Sequence, residues 1–103
     1  CEYCLAAHTA LGKGAGLSLE TISLAQAGKS SDPKTQAALT FAIKLVKERA
    51  NVSPDDISAL KKAGYNEEEI AEILAHVALN IFTNYTNVAF DVPVDFPKVN
   101  LTK

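Results

Sequence analysis

Residues 66–87 read NEEEIAEILAHVALNIFTNYTN, and this stretch decides the fold. Ile70, Ile73, Leu74, Val77, Ala78, Ile81, Phe82 and Tyr85 recur at intervals of three and four. That is the period of an amphipathic α-helix, and no other stretch of the chain shows it as strongly. Asn66 is placed as an N-cap, and Glu67, Glu68 and Glu69 put negative charge at the positive end of the helix dipole. A helix start therefore explains the glutamate run without a metal or acid site. Beside the apolar stripe lies a second, uncharged ridge: His76, Asn80, Thr83, Asn84 and Asn87. Exposed ridges normally carry charge, so a neutral one implies partial burial. A helix that is apolar or neutral nearly all round is expected in a core or between subunits, which predicts an oligomer. His76 is read first as a core histidine bonded to a carbonyl. Its alternative is a reach into an active site of its own or a neighbouring chain.

Working outward, Ser53-Pro54-Asp55-Asp56 announces a shorter helix, with Ile57 and Leu60 facing inward and Lys61 and Lys62 before Gly64. Asp32-Pro33 starts another, predicted over residues 33–50, with Ala38, Phe41, Ala42, Leu45 and Val46 as its apolar face. Ser18 caps a helix over residues 19–27 that Gly28 ends. The first helix is predicted over residues 1–12, stopped by Gly12-Lys13-Gly14-Ala15-Gly16. No strand precedes those glycines, so they read as an inter-helix turn and not a phosphate cradle. After the long helix, Phe90, Val92, Val94 and Phe96 alternate with Asp91, Pro93, Asp95 and Pro97. Period two with prolines predicts an extended segment lying over the bundle or along another subunit, with residues 99–103 frayed. The fold class is all-α: a compact bundle of about five helices with an extended C-terminal tail, expected to be oligomeric by the argument above.

The chain has 103 residues, the length of one domain. It is 48% hydrophobic and 21% charged, which argues against disorder as a whole. A net charge of −2 with no basic run argues against nucleic-acid binding. No apolar run approaches the ~18 residues of a membrane span. The start lacks the charged-then-apolar pattern of a secretory leader, and a cytoplasmic location is expected. With no methionine at all, the chain is read as a processed or truncated piece. Three N-x-S/T triplets, at Asn51, Asn84 and Asn100, are read as unglycosylated.

The chemistry is concentrated in Cys1-Glu2-Tyr3-Cys4-Leu5-Ala6-Ala7-His8. On a helix Cys1, Cys4 and His8 fall within an arc of roughly 60°. Cys1 then neighbours Cys4, and Cys4 neighbours His8. An i, i+3 pair in a first helical turn can meet the Cα spacing of a disulfide. The stretch reads as an oxidisable dithiol with an acid/base group one turn away. Three other readings stand beside it: a chance CxxC of buried cysteines, a core histidine at His8, and a zinc site. Zinc would need a fourth ligand, for which His76 is the only other histidine. Haem attachment wants CxxCH, and Leu5 follows Cys4. No cofactor and no metal is expected.

The spacing C-x-x-C-x-x-x-H, in Cys1 to His8 and on to Thr9, resembles the alkylhydroperoxidase D-like, or carboxymuconolactone decarboxylase-like, superfamily, and within it the peroxidase-related branch. Residues 70–87, with Asn84-Tyr85-Thr86-Asn87, and Val94-Asp95-Phe96-Pro97 are similar to the same branch. The resemblance covers most of the chain, and the first motif is its specific part. It implies one domain, residues 1–103, lacking its N-terminal helices and with them a glutamate of the proton relay. It further implies Cys1, Cys4 and His8 as catalytic residues, Cys4 being the reactive thiol, and a trimer or hexamer. The substrate would be an organic hydroperoxide. The reductant would be a dithiol such as a lipoyl-bearing or thioredoxin-like protein. Thioredoxin logic would instead give the lower pKa to the first cysteine, Cys1. A decarboxylase-type lyase, a thiol–disulfide oxidoreductase and a non-enzymatic oligomeric binding protein are the competing functions.

Overall fold

The computed structural model describes residues 1–101, so Thr102 of the third N-x-T triplet and the end of the segment expected to fray lie outside it. Five α-helices follow one another: α1 Glu2–Gly14, α2 Leu19–Gln26, α3 Pro33–Lys47, α4 Pro54–Lys62 and α5 Glu67–Ala89. No strand occurs among the described residues. None of the helices is long and apolar enough to cross a membrane. The chain forms two compact units. One is Gly28–Ala78; the other joins Cys1–Ala27 to the chain from Leu79 onward. The helix α5 contributes its first half to the former and its second half to the latter.

Side chains start the helices as the sequence predicts. The Ser18, Asp32 and Ser53 side chains accept from the backbone N–H of Thr21, Thr35 and Asp56. Asp56 returns the bond to the Ser53 N–H at 2.8 Å, completing a capping box. Asn66 and Glu69 form the same reciprocal pair, at 2.8 and 2.9 Å, so the glutamate run does begin a helix.

Four helix ends share one chemistry, and here the sequence misleads. At the ends of α1, α3, α4 and α5 an N–H reaches back five residues to a carbonyl: Leu17 to Gly12, Ala50 to Leu45, Tyr65 to Leu60, and Val92 to Asn87. The residue before each donor bonds three back and has positive φ: Gly16 (93°), Arg49 (49°), Gly64 (105°) and Asp91 (49°). This is the Schellman closure, which favours glycine at the left-handed position. For α1 the closure falls at Gly16, so Gly12 and Gly14 stay inside the helix and the predicted stop at residue 12 is too early. For α3 the left-handed residue is an arginine. No glycine marks the end, and the helix stops at Lys47 rather than at residue 50.

In the unit Gly28–Ala78, Phe41, Leu45 and Leu60 form the buried core, with Leu60 only 1% exposed. Ala37, Val52, Ile57, Tyr65, Ile70, Ile73 and Val77 pack against them. Burying a leucine-sized side chain stabilises by about 1.5–3 kcal/mol, so these three residues supply much of the unit's cohesion. At its edge Lys44 Nζ lies 2.7 Å from Asp56, and the ammonium holds that carboxyl below the usual carboxylate range. The Tyr65 hydroxyl donates to the Lys34 carbonyl at 2.9 Å, and Lys34 Nζ sits 4.9 Å from the Tyr65 ring centre. Burial raises the Tyr65 pKa.

The buried arc of α5 is rotated from the predicted stripe. Ile70, Ile73, Val77 and Ile81 are half-buried, as are Asn80, Thr83, Asn84 and Asn87. Leu74, Phe82 and Tyr85, expected inside, are 49%, 69% and 71% exposed. At about 100° per residue the covered arc is centred between the apolar stripe and the amide ridge. The neutral ridge is covered as predicted, apart from His76. That residue is exposed, with Nε2 3.6 Å from Glu72, and is not a core histidine.

The segment after α5 is neither helix nor strand among its described residues. Its apolar residues do not form one face. Phe90 lies in the turn closing α5 and is 78% exposed, whereas the Phe96 ring meets the Tyr3 ring edge-on at 5.7 Å. The left-handed turn at Asp91 separates Phe90 from the alternation that follows.

Candidate functional site

Cys1 is the N-cap of α1 and Cys4 lies in its first turn. The two are joined by a disulfide, their Cα atoms 5.3 Å apart. Helical geometry sets this spacing, because positions i and i+3 stand one above the other. Cys1 Sγ also accepts the backbone N–H of Cys4 at 3.1 Å. Cys4 is 8% exposed and Cys1 is half-buried, so the pair has one sheltered and one more accessible sulfur.

His8 follows one turn after Cys4 and is exposed, not buried as a core histidine. Cys1, Cys4 and His8 line a common cavity of about 340 Å³. Gln26 of α2 and Asn80 and Asn84 of α5 complete its polar wall, while Leu5 and Leu101 make it partly apolar. Among the described residues that line it there is no Asp, Glu, Lys or Arg. The depression is open to solvent, and its side-chain amides offer donors and acceptors to an uncharged polar group.

A second cavity, of about 310 Å³, meets the disulfide from another side. It is lined by Cys1 but not Cys4, together with Glu2, Tyr3, Asn87 and Asp91. The Tyr3 hydroxyl bonds the Asp95 carboxylate, and this bond raises the Tyr3 pKa. Asn87 reaches the disulfide itself, its Nδ2 donating to Cys4 Sγ at 3.5 Å.

The structure therefore brings together all three predicted site residues. The sequence by itself assigns Gln26, Asn80, Asn84 and Asn87 no role in the site. The missed signal was the uncharged ridge on α5. The sequence predicts that ridge to be covered, and three of its amides, Asn80, Asn84 and Asn87, lie at or beside the cysteine pair. The segment after α5 reaches this place within the stretch expected to fray: Gln26 Nε2 donates to the Asn100 carbonyl at 3.2 Å, beside Leu101 at the first cavity. His76 does not line this cavity. No group of three or more His, Cys, Asp or Glu arranged to hold a metal ion occurs among the described residues. No protein-family model, curated protein or solved structure matches this chain.

Proposed function

We propose that this protein is a thiol-dependent peroxidase, of the alkylhydroperoxidase D-like kind that the Cys1–His8 spacing resembles. The observation that carries the reading is the Cys1–Cys4 disulfide, placed with His8 on one cavity. In the reduced form the Cys4 thiolate attacks the distal oxygen of an organic hydroperoxide. The O–O bond breaks, Cys4 becomes a sulfenic acid, and the alkoxide leaves as an alcohol. His8 takes the thiol proton and returns a proton to the leaving oxygen, directly or through water. Cys1 then attacks the sulfenic sulfur, forming the disulfide and releasing water. An external dithiol, lipoyl-bearing or thioredoxin-like, reduces the pair by two exchange steps. The neutral cavity wall fits a hydroperoxide, which enters uncharged.

The same reading extends to assembly and place. Leu79, Phe82, Tyr85 and Val88 leave an apolar surface on α5, 56–71% exposed, and a homo-oligomer, trimer or hexamer, would cover it in the cytoplasm.

The test is a thiol count and intact mass before and after one equivalent of an organic hydroperoxide. Rapid loss of two thiols, with a sulfenic acid trapped in Cys1→Ser but not in Cys4→Ser, is the expected result. Thiols that ignore the peroxide while turning over a protein disulfide would move the function to thiol–disulfide exchange. Thiols inert to both would leave a lyase or a binding protein.

A further inference from the structure

We propose that Asn87 is a positioning residue for the Cys4 sulfur: its side-chain amide holds the Cys4 thiolate that the buried site would otherwise disfavour. The inference deepens the function proposed above and rests on it only for the reaction that the thiolate serves.

Burial sets the problem. Cys4 is 8% exposed, and removing a thiolate from water raises its pKa. A buried cysteine with no compensating donor is a poor nucleophile at neutral pH. Cys1 is better placed in this respect, being half-buried and receiving the Cys4 backbone N–H. On burial alone Cys1 would be the more acidic thiol. A reactive Cys4 needs a donor of its own, and the Asn87 amide is that donor.

At 3.5 Å the contact has an ordinary length for a bond to the large sulfur atom, and a disulfide sulfur is a weak acceptor. A thiolate is a strong one, so the same pair becomes charge-assisted once the disulfide opens. The contact therefore favours the charged form of Cys4 over the neutral one, which is the condition for lowering a pKa. It also makes Cys4 the better leaving group when a reductant attacks Cys1. In that step the incoming thiolate bonds to Cys1 Sγ, the Cys1–Cys4 bond breaks, and the electron pair stays on Cys4. The second thiol of the reductant then attacks the mixed disulfide and releases Cys1.

Asn87 is well held for this task. It lies in the last turns of α5, and its carbonyl accepts the Val92 N–H in the Schellman closure at 3.0 Å. Being neutral, it adds no fixed charge beside a sulfur that cycles between charged and uncharged states. The titratable side chains around the pair are His8 on the first cavity and Glu2, Tyr3 and Asp91 on the second, with Tyr3 bonded to Asp95.

The experiment follows the alkylation rate of Cys4 by iodoacetamide against pH in a Cys1→Ser background, where Cys4 is the single thiol. Asn87→Leu removes the donor and is expected to raise the midpoint by about one pH unit, with about tenfold slower alkylation below both midpoints. Asn87→Asp keeps the shape, removes the donor and adds a like charge, so its midpoint should rise further. A role in packing alone would not produce this order, because the aspartate is isosteric. Midpoints equal in all three proteins would overturn the proposal, as would a rise in Asn87→Leu reversed in Asn87→Asp. The titration uses no peroxide. An upward shift in a protein that ignores hydroperoxide would support Asn87 and remove the peroxidase reading separately.

Discussion

Reducing the Cys1–Cys4 disulfide should leave the protein folded. The bridge joins residues three apart, so it closes a loop of four. In the chain-entropy treatment, ΔS is −2.1 − 1.5R ln n, which for so short a loop gives about −6 cal/mol/K, or about 2 kcal/mol at 25 °C. A bridge across ~100 residues would give about 4.7 kcal/mol by the same relation. The N-cap bond from Cys4 N–H to Cys1 Sγ does not depend on the bridge, so part of the local order outlasts reduction. Domains of this size are stable by ~5–15 kcal/mol, and a loss of at most about 2 kcal/mol lies within that margin. The corresponding fall in Tm is up to about 8–16 °C. Far-UV circular dichroism and thermal melts, with and without a phosphine reductant, measure both quantities. The expected result is unchanged helicity at 25 °C and a modest fall in Tm. Collapse of the helical signal on reduction would refute the reasoning: the disulfide would be a structural pin, and a cycle that passes through a folded dithiol would be lost with it.

Three further outcomes follow from particular contacts. Leu60→Ala should cost about 3–5 kcal/mol, because a side chain 1% exposed leaves a cavity against Phe41 and Leu45; denaturant unfolding reads the loss. Arg49→Gly should stabilise by roughly 0.5–1 kcal/mol, the relief of a left-handed non-glycine residue at φ 49° less the added chain entropy, and a fall in Tm would contradict the Schellman assignment. Asp56 has a folded pKa depressed by Lys44, then by the Ser53 backbone, so its stabilisation is present above the unfolded carboxylate pKa of 3.8 and is lost as pH falls through the lower folded value. Asp56→Asn should flatten that acid limb of stability against pH; an unchanged limb would assign it to other carboxylates, Asp32 first.

Much of this arrangement is legible in the sequence, and the part that is not has a common cause. Starts of helices are written in single residues with a direct mechanism: Ser18, Asp32, Ser53 and Asn66 each bond an N–H of the first turn. Ends are written in backbone conformation, and Arg49 and Asp91 adopt it without the glycine that would announce it. The i, i+3, i+7 spacing placed Cys1, Cys4 and His8 on one ridge because that depends on helix geometry alone. Which arc of α5 is covered depends on what packs there. Phe82 and Tyr85 look like core by hydrophobicity, yet Asn84 and Asn87 are the covered residues near the cysteines.

That inversion bears on the proposed chemistry. A helix that keeps Ile70, Ile73, Val77 and Ile81 half-buried but leaves Leu74, Phe82 and Tyr85 exposed while its amides are covered gives up burial of those three large side chains. The two costs differ in kind: an exposed Phe82 forgoes hydrophobic stabilisation, whereas a covered asparagine without partners would carry a desolvation penalty. Amides beside the disulfide offset that penalty by bonding, as Asn87 does to Cys4 Sγ. They also offer both donors and acceptors without fixed charge, which lets a site meet a neutral peroxide, a thiolate and an alkoxide in turn. A charged ridge would favour one of those states at the expense of the others. On the proposed cycle, substitutions of Asn80 or Asn84 by leucine should therefore weaken the peroxide step while leaving the Cys4 alkylation midpoint nearly in place. Asn87→Leu should move the midpoint first. If all three substitutions moved it equally, the amides would act as a general polar medium and the specific role of Asn87 would be lost.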